Sequence, residues 1–247
     1  MTKRFILGFV GLIICIFSSS KIILADDIKM AIGLALPPYV ISESNSGIEL
    51  DSVTHILASQ GYTIKPKYVN FGSVARQIKN GKVDGALTIT EASGITDIFY
   101  SDYHVTYQNV AISLKKKGLS INKIEDLQKY RILAFQDATK YLGDVYATTV
   151  KNVPIYREIA KQEVQIARLF AEKTDVLIID VNIFKYFRLH NKKRDMSLEI
   201  QIHQVFPPSR YKVGFSNQVI RDKFNVGLKD FQAKGVYEKI YRRYITD

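Results

Sequence analysis

The stretch Lys79–Leu114, KNGKVDGALTITEASGITDIFYSDYHVTYQNVAISL, decides the fold that this sequence predicts. Gly81 suits the left-handed position just past the end of a helix. The small residues of 85–90 predict a buried strand that another backbone or a ligand approaches closely. Thr88 and Thr90 are two residues apart on this strand, so their hydroxyls lie on the same face. Taken alone, this strand–turn–strand stretch fits any α/β protein.

Strand and helix patterns alternate on both sides of this stretch. Before it, Ile28–Leu34 and Tyr62–Val69 predict strands on either side of a helix with apolar residues at helical spacing. After it, strands are predicted at Arg131–Phe135 and Asp175–Asp180, with a helix over Glu158–Glu172 between them. The β-α-β-α-β order of the first half predicts a doubly wound α/β unit.

Several motifs, in their order along the chain, resemble the bacterial extracellular solute-binding proteins, family 3, the amino-acid-type receptors of ABC importers. Residues 84–103, DGALTITEASGITDIFYSDY, are similar to the family's T-x-T-x-x-R…F-S-x-P-Y segment. LPPY at 36–39 and GIELD at 47–51 resemble the family's opening, and 136–139 resembles its Q-G-T-T turn. The strand that ends at Asp180 resembles the family strand whose last aspartate binds the ligand ammonium.

The resemblance covers the chain after its N-terminal segment and implies an α/β, two-lobed fold of the type II periplasmic-binding-protein kind. Two crossover strands would join the lobes, and a ligand bound between the lobes would drive hinge closure. The implied division is lobe 1 at residues 26–112 and 212–247, and lobe 2 at residues 113–211.

Residues 1–25 have the pattern of a secretory signal peptide. A basic pair starts the segment, 5–17 is apolar, and Ala25 supplies a small residue at the expected cleavage point. A membrane anchor is the alternative, but thirteen apolar residues fall short of the roughly 20 that span a bilayer. The only cysteine, Cys15, lies in this segment, so cleavage would leave none, which suits an oxidising compartment. The mature protein is therefore expected in the periplasm.

The resemblance implies a ligand site built from both lobes. In relatives, aromatic residues near the position of Tyr39 pack against the ligand, and the two threonines of the T-x-T motif contact it. An acid that ends an apolar strand, as Asp180 does, needs a partner because burying an unpaired carboxylate is costly. Ordinary strand threonines and a helix-capping aspartate remain the alternatives. The predicted ligand-binding residues are Tyr39, Glu49, Thr88, Thr90, Ser93, Gln136, Thr139 and Asp180.

Two departures from the family pattern bear on the ligand. Ser93 stands where relatives have the arginine that binds the ligand carboxylate, and a hydroxyl does not replace a guanidinium. Asp137 and Ala138 replace the glycine and the first threonine of the Q-G-T-T turn. Lys140 and Arg210 are the candidate replacement cations. These departures predict a ligand other than a standard α-amino acid.

The sequence therefore predicts a solute-binding protein, a monomer that captures a small polar molecule for an ABC permease in the inner membrane. Two alternatives stay open on the same fold. One is a periplasmic dehydratase-like enzyme, with Glu49, Asp137, Asp180 and His104 as acid–base groups. The other is a ligand sensor or adaptor without transport. Such an enzyme also needs a cation for substrate carboxylates, so Ser93 disfavours it and no catalytic residue is predicted.

Composition excludes several other classes of protein. The 247 residues are 47% hydrophobic and 24% charged, which is typical of a globular protein. A formal net charge of +11 favours anionic partners, but no nucleic-acid-binding motif accompanies the basic clusters. The four histidines lack the spacing of metal ligands, and no P-loop or G-x-S-x-G occurs, so neither a metal nor a cofactor is predicted.

Overall fold

The computed structural model describes residues 25–34, 36–191 and 195–245. The predicted signal peptide, residues 1–25, lies outside these ranges except for Ala25. The described chain forms two β-sheets flanked by helices, which confirms the predicted two-lobed α/β fold. The strands are β1 (Asp26–Gly33), β2 (Tyr62–Val69), β3 (Gly85–Ile89), β4 (Phe99–Tyr100), β5 (Val105–Tyr107), β6 (Asn109–Leu114), β7 (Arg131–Phe135), β8 (Ile155–Ile159), β9 (Val176–Asp180), β10 (Ile200–His203) and β11 (Ser209–Phe215). The helices are α1 (Ile48–Ser59), α2 (Val74–Lys79), α3 (Ala138–Tyr141), α4 (Gly143–Thr149), α5 (Gln162–Phe170), α6 (Val181–His190), α7 (Gln218–Ala233) and α8 (Val236–Tyr244).

The first sheet, which defines the first lobe, has the strand order β2-β1-β3-β11-β4, and β5 also pairs with β11. β1 is parallel to β2 and β3, because α1 and α2 return the chain to the same end of the sheet between successive strands. β11 comes from the other lobe and is antiparallel to β3. Met30, Leu87 and Phe215 are fully buried in the core that this sheet forms with its helices.

The second sheet, which defines the second lobe, has the strand order β10-β6-β9-β7-β8. β9 lies at its centre, antiparallel to β6 and parallel to β7. Every residue of β9 is buried, which explains why Val176–Ile179 is an unbroken apolar run rather than an alternating one.

Helices cover both sheets. α1 packs against α7 and α8 in the first lobe, and α5 packs against α6 in the second. On α7 the buried residues Phe224, Leu228 and Phe231 recur at helical spacing and form its apolar stripe. Within the described ranges, no helix is both long enough and apolar enough to cross a bilayer.

The chain passes between the sheets twice, and the two passages are bonded to each other. β5 pairs in the first sheet and β6 pairs in the second, with Gln108 alone between them; β10 and β11 make the return passage. Gln108 Nε2 donates to the Phe206 carbonyl oxygen at 3.1 Å. Asn109 Nδ2 donates to Ser209 Oγ at 3.1 Å. Two crossovers therefore meet in one hydrogen-bonded region.

The predicted division into residues 26–112 with 212–247 and residues 113–211 stays a prediction. The sheets themselves change over a few residues earlier than these boundaries. β6 joins the second sheet from Asn109, and β11 joins the first sheet from Ser209.

The predicted helix over Glu158–Glu172 is wrong at its start. Ile155–Ile159 forms β8, which lies parallel to β7 at the edge of the second sheet, and α5 begins only at Gln162. The β-branched and aromatic residues of this segment fit a strand, and the free edge of β7 supplies its partner. As a result Tyr156 and Glu158 lie on the same face of a strand.

Candidate functional site

A small cavity, partly open to its surroundings, lies where the two lobes meet. It encloses about 30 Å³, and a single water needs roughly 10–15 Å³. Leu34 and Phe71 reach it from the loops of the first lobe, and Gln136 reaches it from the turn after β7. The aromatic part of its lining is Phe71, Tyr107, Phe135 and Tyr211, and the polar part includes Asn109, Gln136 and Asp180. This part of the cleft is therefore narrow and lined by aromatic rings and an acid.

Asp180 is the acid of this cavity, and it is 2% exposed. It ends β9 and caps α6, since its Oδ1 accepts hydrogen bonds from the backbone N–H groups of Asn182 and Ile183 at 2.8 and 3.0 Å. Its Oδ2 accepts from the Gln108 backbone N–H at 2.8 Å and from the Tyr39 hydroxyl at 3.3 Å. Burial raises the pKa of Asp180 to about 6, although the backbone donors oppose the rise. No Lys, Arg or His is among its partners in the described chain.

Tyr39 connects the two lobes. It lies in the loop before α1 and stacks on Tyr107, with ring centroids 3.8 Å apart. Its hydroxyl donates to Asp180 and accepts from Asn182 Nδ2 at 3.1 Å. Burial, together with the Asp180 carboxylate, holds the pKa of Tyr39 well above its usual range. Tyr39 is therefore a neutral hydrogen-bond donor to Asp180.

Glu49 and Thr88 bind each other inside the first lobe. The Thr88 hydroxyl lies 2.9 Å from both carboxylate oxygens of Glu49. His104 Nε2 lies 2.9 Å from Glu49 Oε1, and the Tyr107 hydroxyl donates to Oε2 at 2.9 Å. Neither Glu49 nor Thr88 lines any of the three cavities that residues of both lobes share. Thr88 also has a φ of 55°, an uncommon value for a β-branched residue.

A second cavity, of about 170 Å³, shares Tyr211 with the first. Thr90 and Arg210 line this second cavity. The Ser93 hydroxyl lies 2.8 Å from the hydroxyl of Tyr100, a residue of the same lobe. Lys140 reaches across from the second lobe and donates from Nζ to the Ser93 carbonyl oxygen at 3.4 Å. Of the two candidate replacement cations, Lys140 thus lies at Ser93 and Arg210 lies at the second cavity.

The turn after β7 binds a carboxylate of the chain itself. The backbone N–H groups of Asp137 and Thr139 donate to Glu158 Oε2 and Oε1, at 2.8 and 3.0 Å. The hydroxyls of Thr139 and Tyr156 donate to Glu158 Oε1 at 3.1 and 2.7 Å. The donors that the family resemblance assigns to a ligand carboxylate are therefore engaged by Glu158.

Gly72 allows the lobes to approach at the same turn. It lies in the short 3₁₀ turn Phe71–Ser73, against Gln136 and Asp137. A Cβ at Gly72 would stand 2.3 Å from Gln136 Nε2 and 2.9 Å from Asp137 Oδ2. Because glycine has no Cβ, the first-lobe backbone can lie directly on the second-lobe turn.

No group of three or more His, Cys, Asp or Glu side chains suited to a metal ion occurs in the part of the chain that the structure describes. Two of the histidines bond to other protein groups instead. His104 binds Glu49, and His203 Nε2 lies 3.0 Å from Ser113 Oγ.

Two α/β lobes joined by two crossovers, with polar strand ends that meet across a cleft, define the class of two-lobed solute-binding proteins. The profile of the bacterial extracellular solute-binding proteins, family 3, matches residues 28–247, and the chain belongs to this family. A search of curated proteins gave no match.

Solved structures share the fold at low sequence identity. The chain is similar to an ancestral arginine-binding protein bound to arginine, at 17% identity and a TM-score of 0.73, over 90% of this chain and 100% of that one. It is similar to a histidine kinase sensor domain at 16% identity and a TM-score of 0.75, over 90% and 97%. It is also similar to an ancestral amino acid-binding protein, a precursor of cyclohexadienyl dehydratase, at 15% identity and a TM-score of 0.71, over 89% and 96%. At these identities the likeness shows the fold alone.

Two features of the site escape the sequence prediction. Glu158 is predicted in a helix, whereas from β8 its carboxylate reaches the turn after β7. The β-branched and aromatic residues of Ile155–Ile159 are the only local signal for a strand there, and it is a weak one. Tyr107 is predicted only as a strand residue, yet it contacts both Tyr39 and Glu49. No local pattern announces that contact, because its partners lie far away in the sequence.

Proposed function

We propose that this protein captures a small solute in the cleft between its lobes and presents it to an ABC permease in the inner membrane. The observation that carries the proposal is Asp180, a buried carboxylate in the interlobe cavity without a cation among its described partners. Burying a charge without an opposite charge is costly, so a positively charged ligand group would stabilise the closed cleft. Membership of the solute-binding family supports the same role.

The predicted ligand-binding residues divide into two groups in this proposal. The first group lines a cavity between the lobes or bonds directly to Asp180, and its proposed members are Asp180, Tyr39, Gln136 and Thr90. The second group acts indirectly because its polar atoms bond to other protein groups, and its proposed members are Glu49, Thr88, Ser93 and Thr139.

We infer that a standard α-amino acid is a poor ligand. Ser93 offers no charge, and its hydroxyl is already bonded. Lys140 is exposed and donates to a backbone carbonyl. Arg210 lies at the second cavity, not at the one that holds Asp180. The site therefore keeps a group for a ligand cation but lacks a matched group for its carboxylate.

A thermal-denaturation screen of the mature protein tests the proposal. The screen sets amines, amino acids, peptides, sugars and carboxylic acids side by side. A ligand at a hundredfold excess over its Kd stabilises the folded state by roughly 2.7 kcal/mol, and each kcal/mol shifts Tm by about 2–4 °C at this size. If no class of solute shifts Tm, the proposed function is wrong.

Asp180→Asn is expected to weaken binding of the solute that the screen identifies. Charge-assisted hydrogen bonds contribute about 1.5–3 kcal/mol, so Kd should rise tenfold or more. The matched control is Asp144→Asn, an exposed acid in the first turn of α4, which should leave Kd unchanged. Equal Kd values for both variants and wild type would contradict the role given to Asp180.

A sensor or adaptor is the second candidate, because a histidine kinase sensor domain shares the fold. A permease encoded beside this chain would favour import, whereas a neighbouring signalling protein would favour sensing. An enzyme is less favoured: Glu49 and His104 bind each other away from the interlobe cavities. We therefore propose a non-enzymatic, monomeric protein of the periplasm.

A further inference from the structure

Glu158 uses every donor that the turn after β7 offers in its direction. Asp137 and Thr139 each give a backbone N–H, and Thr139 adds its hydroxyl. Each of these three groups has a single hydrogen to donate, and that hydrogen is already bonded to Glu158. Glu158 makes no ion pair with a described residue, so its hydrogen bonds are what compensate its charge. A second carboxylate at this turn would find these three donors already engaged and would be repelled by the charge of Glu158.

Asp180, on the lining of the cavity, keeps one replaceable hydrogen bond. The Tyr39 hydroxyl lies 3.3 Å from Asp180 Oδ2, the longest of the four hydrogen bonds that this carboxylate accepts. An ammonium N–H can take its place and bring a full positive charge to a buried acid. Phe71, Tyr107 and Tyr211 also line the cavity, and aromatic rings attract a cation.

We propose that Glu158 is a built-in substitute for a ligand carboxylate, so that the cleft selects small organic amines over the corresponding α-amino acids. The inference rests on the proposed solute-binding function and names the ligand class of the same site. The cavity itself has room for about 30 Å³, so an amine much larger than methylammonium would extend into the neighbouring cavity that shares Leu34 and Gln162 with it, or would move a ring.

Calorimetric titration with matched pairs of probes tests the inference. Methylamine and glycine, phenethylamine and phenylalanine, and cadaverine and lysine differ only by the carboxylate. In at least one pair the amine is expected to bind wild type at least tenfold more tightly than the amino acid, a difference of about 1.4 kcal/mol.

Glu158→Ala removes the substitute and frees the donors of the turn. The preference for the amine is expected to fall at least tenfold, through a gain in amino-acid binding. Tyr156→Phe is the matched control, because it removes one hydrogen bond to Glu158 and leaves the carboxylate in place. The preference of Tyr156→Phe for the amine over the amino acid should match that of wild type. If circular dichroism shows that Glu158→Ala is unfolded, Glu158→Gln keeps the size of the side chain and still removes the charge.

The outcomes separate this inference from the proposed function. An amino acid that binds wild type as tightly as its amine overturns the inference and leaves solute binding intact. A preference that survives in Glu158→Ala or Glu158→Gln also overturns it. Binding of a sugar or a peptide, but of no amine, also overturns the inference and leaves solute binding intact. If none of these probes and none of the solutes in the thermal screen binds, the proposed function fails as well.

Discussion

Among single residues, Asp180 combines an observed structural role with the binding role that we propose for it. One carboxylate oxygen caps α6, and the other accepts the N–H of Gln108 and the hydroxyl of Tyr39. The backbone donors favour the charged form, whereas burial favours the neutral form and dominates, so the pKa rises to about 6. The charge that would hold a ligand is therefore sensitive to mild acid.

The free energy of unfolding should contain an Asp180 component that falls as pH rises from about 4 to about 6. The pKa of Asp180 is about 6 in the folded protein against an ordinary value of 3.8, so in this window the folded state holds a proton that the unfolded chain has released. The stabilisation is complete below the lower value and lost above the higher one, at up to about 1.4 kcal/mol per pH unit. Urea unfolding at several pH values measures it.

Asp180→Asn isolates this component, because the variant keeps every other titrating group. Arg131, for example, lowers the pKa of Asp175 and so adds a dependence of opposite sign to both proteins. The difference in unfolding free energy between wild type and variant should therefore change between pH 4 and pH 6, by up to about 1.4 kcal/mol per pH unit. Parallel pH profiles would show that the pKa of Asp180 is the same in the folded and unfolded states.

Among the elements, the buried group of Glu49, Thr88, His104 and Tyr107 joins α1, β3 and β5 in the first lobe. Tyr107 links this buried group to the cleft, because its ring stacks on Tyr39 and lines the cavity. These contacts fix the wall of the cleft from inside the lobe. Mutations here should act first on stability and only through it on binding.

Thr88→Val should destabilise the protein by about 1–3 kcal/mol, because it removes a donor from a buried carboxylate. Valine is also β-branched, so the unusual φ of Thr88 affects both side chains alike. Thr90→Val is the matched control: its hydroxyl makes a 3.3 Å hydrogen bond to the Ala92 N–H, and its loss should cost less than about 1 kcal/mol. Urea unfolding of both variants measures the two losses of stability. Equal losses would show that the Thr88 hydrogen bonds to Glu49 add no special stability.

The sequence predicts the elements better than it predicts their contacts. The apolar run at 176–179 and the stripe on α7 carry local periods, so β9 and α7 follow from the sequence. The strand at 155–159 depends on the free edge of β7, and no local pattern shows that edge. Likewise Thr88 and Glu49 are both predicted at the site, but their mutual hydrogen bond depends on how α1 packs on β3.

At the scale of the whole molecule, the two lobes are in direct contact across the cleft. Tyr39 bonds to Asp180 and Asn182, Lys140 bonds to Ser93, and Gly72 lies on the turn after β7. The closed arrangement is therefore held by the protein's own groups. A ligand has to replace some of them to enter.

Gly72→Val should hold the lobes apart. Its side chain would overlap Gln136 and Asp137, and overpacking of this kind typically costs about 1–3 kcal/mol. Small-angle scattering should show a larger radius of gyration, and Kd for a cleft ligand should rise tenfold or more. Asn70→Val, an exposed change in the same loop, is the control and should leave both unchanged. An unaltered radius and Kd in Gly72→Val would show that the turn yields without opening the cleft.

The bonded crossovers also have a mechanical consequence. Gln108 donates its backbone N–H to Asp180, and its side chain ties the outgoing connection to the returning one at Phe206. Sliding the lobes past each other would break these bonds, whereas rotation about this point would keep them. The relative motion of the lobes is thus limited to rotation about this point, which is bonded to the carboxylate that we propose holds the ligand.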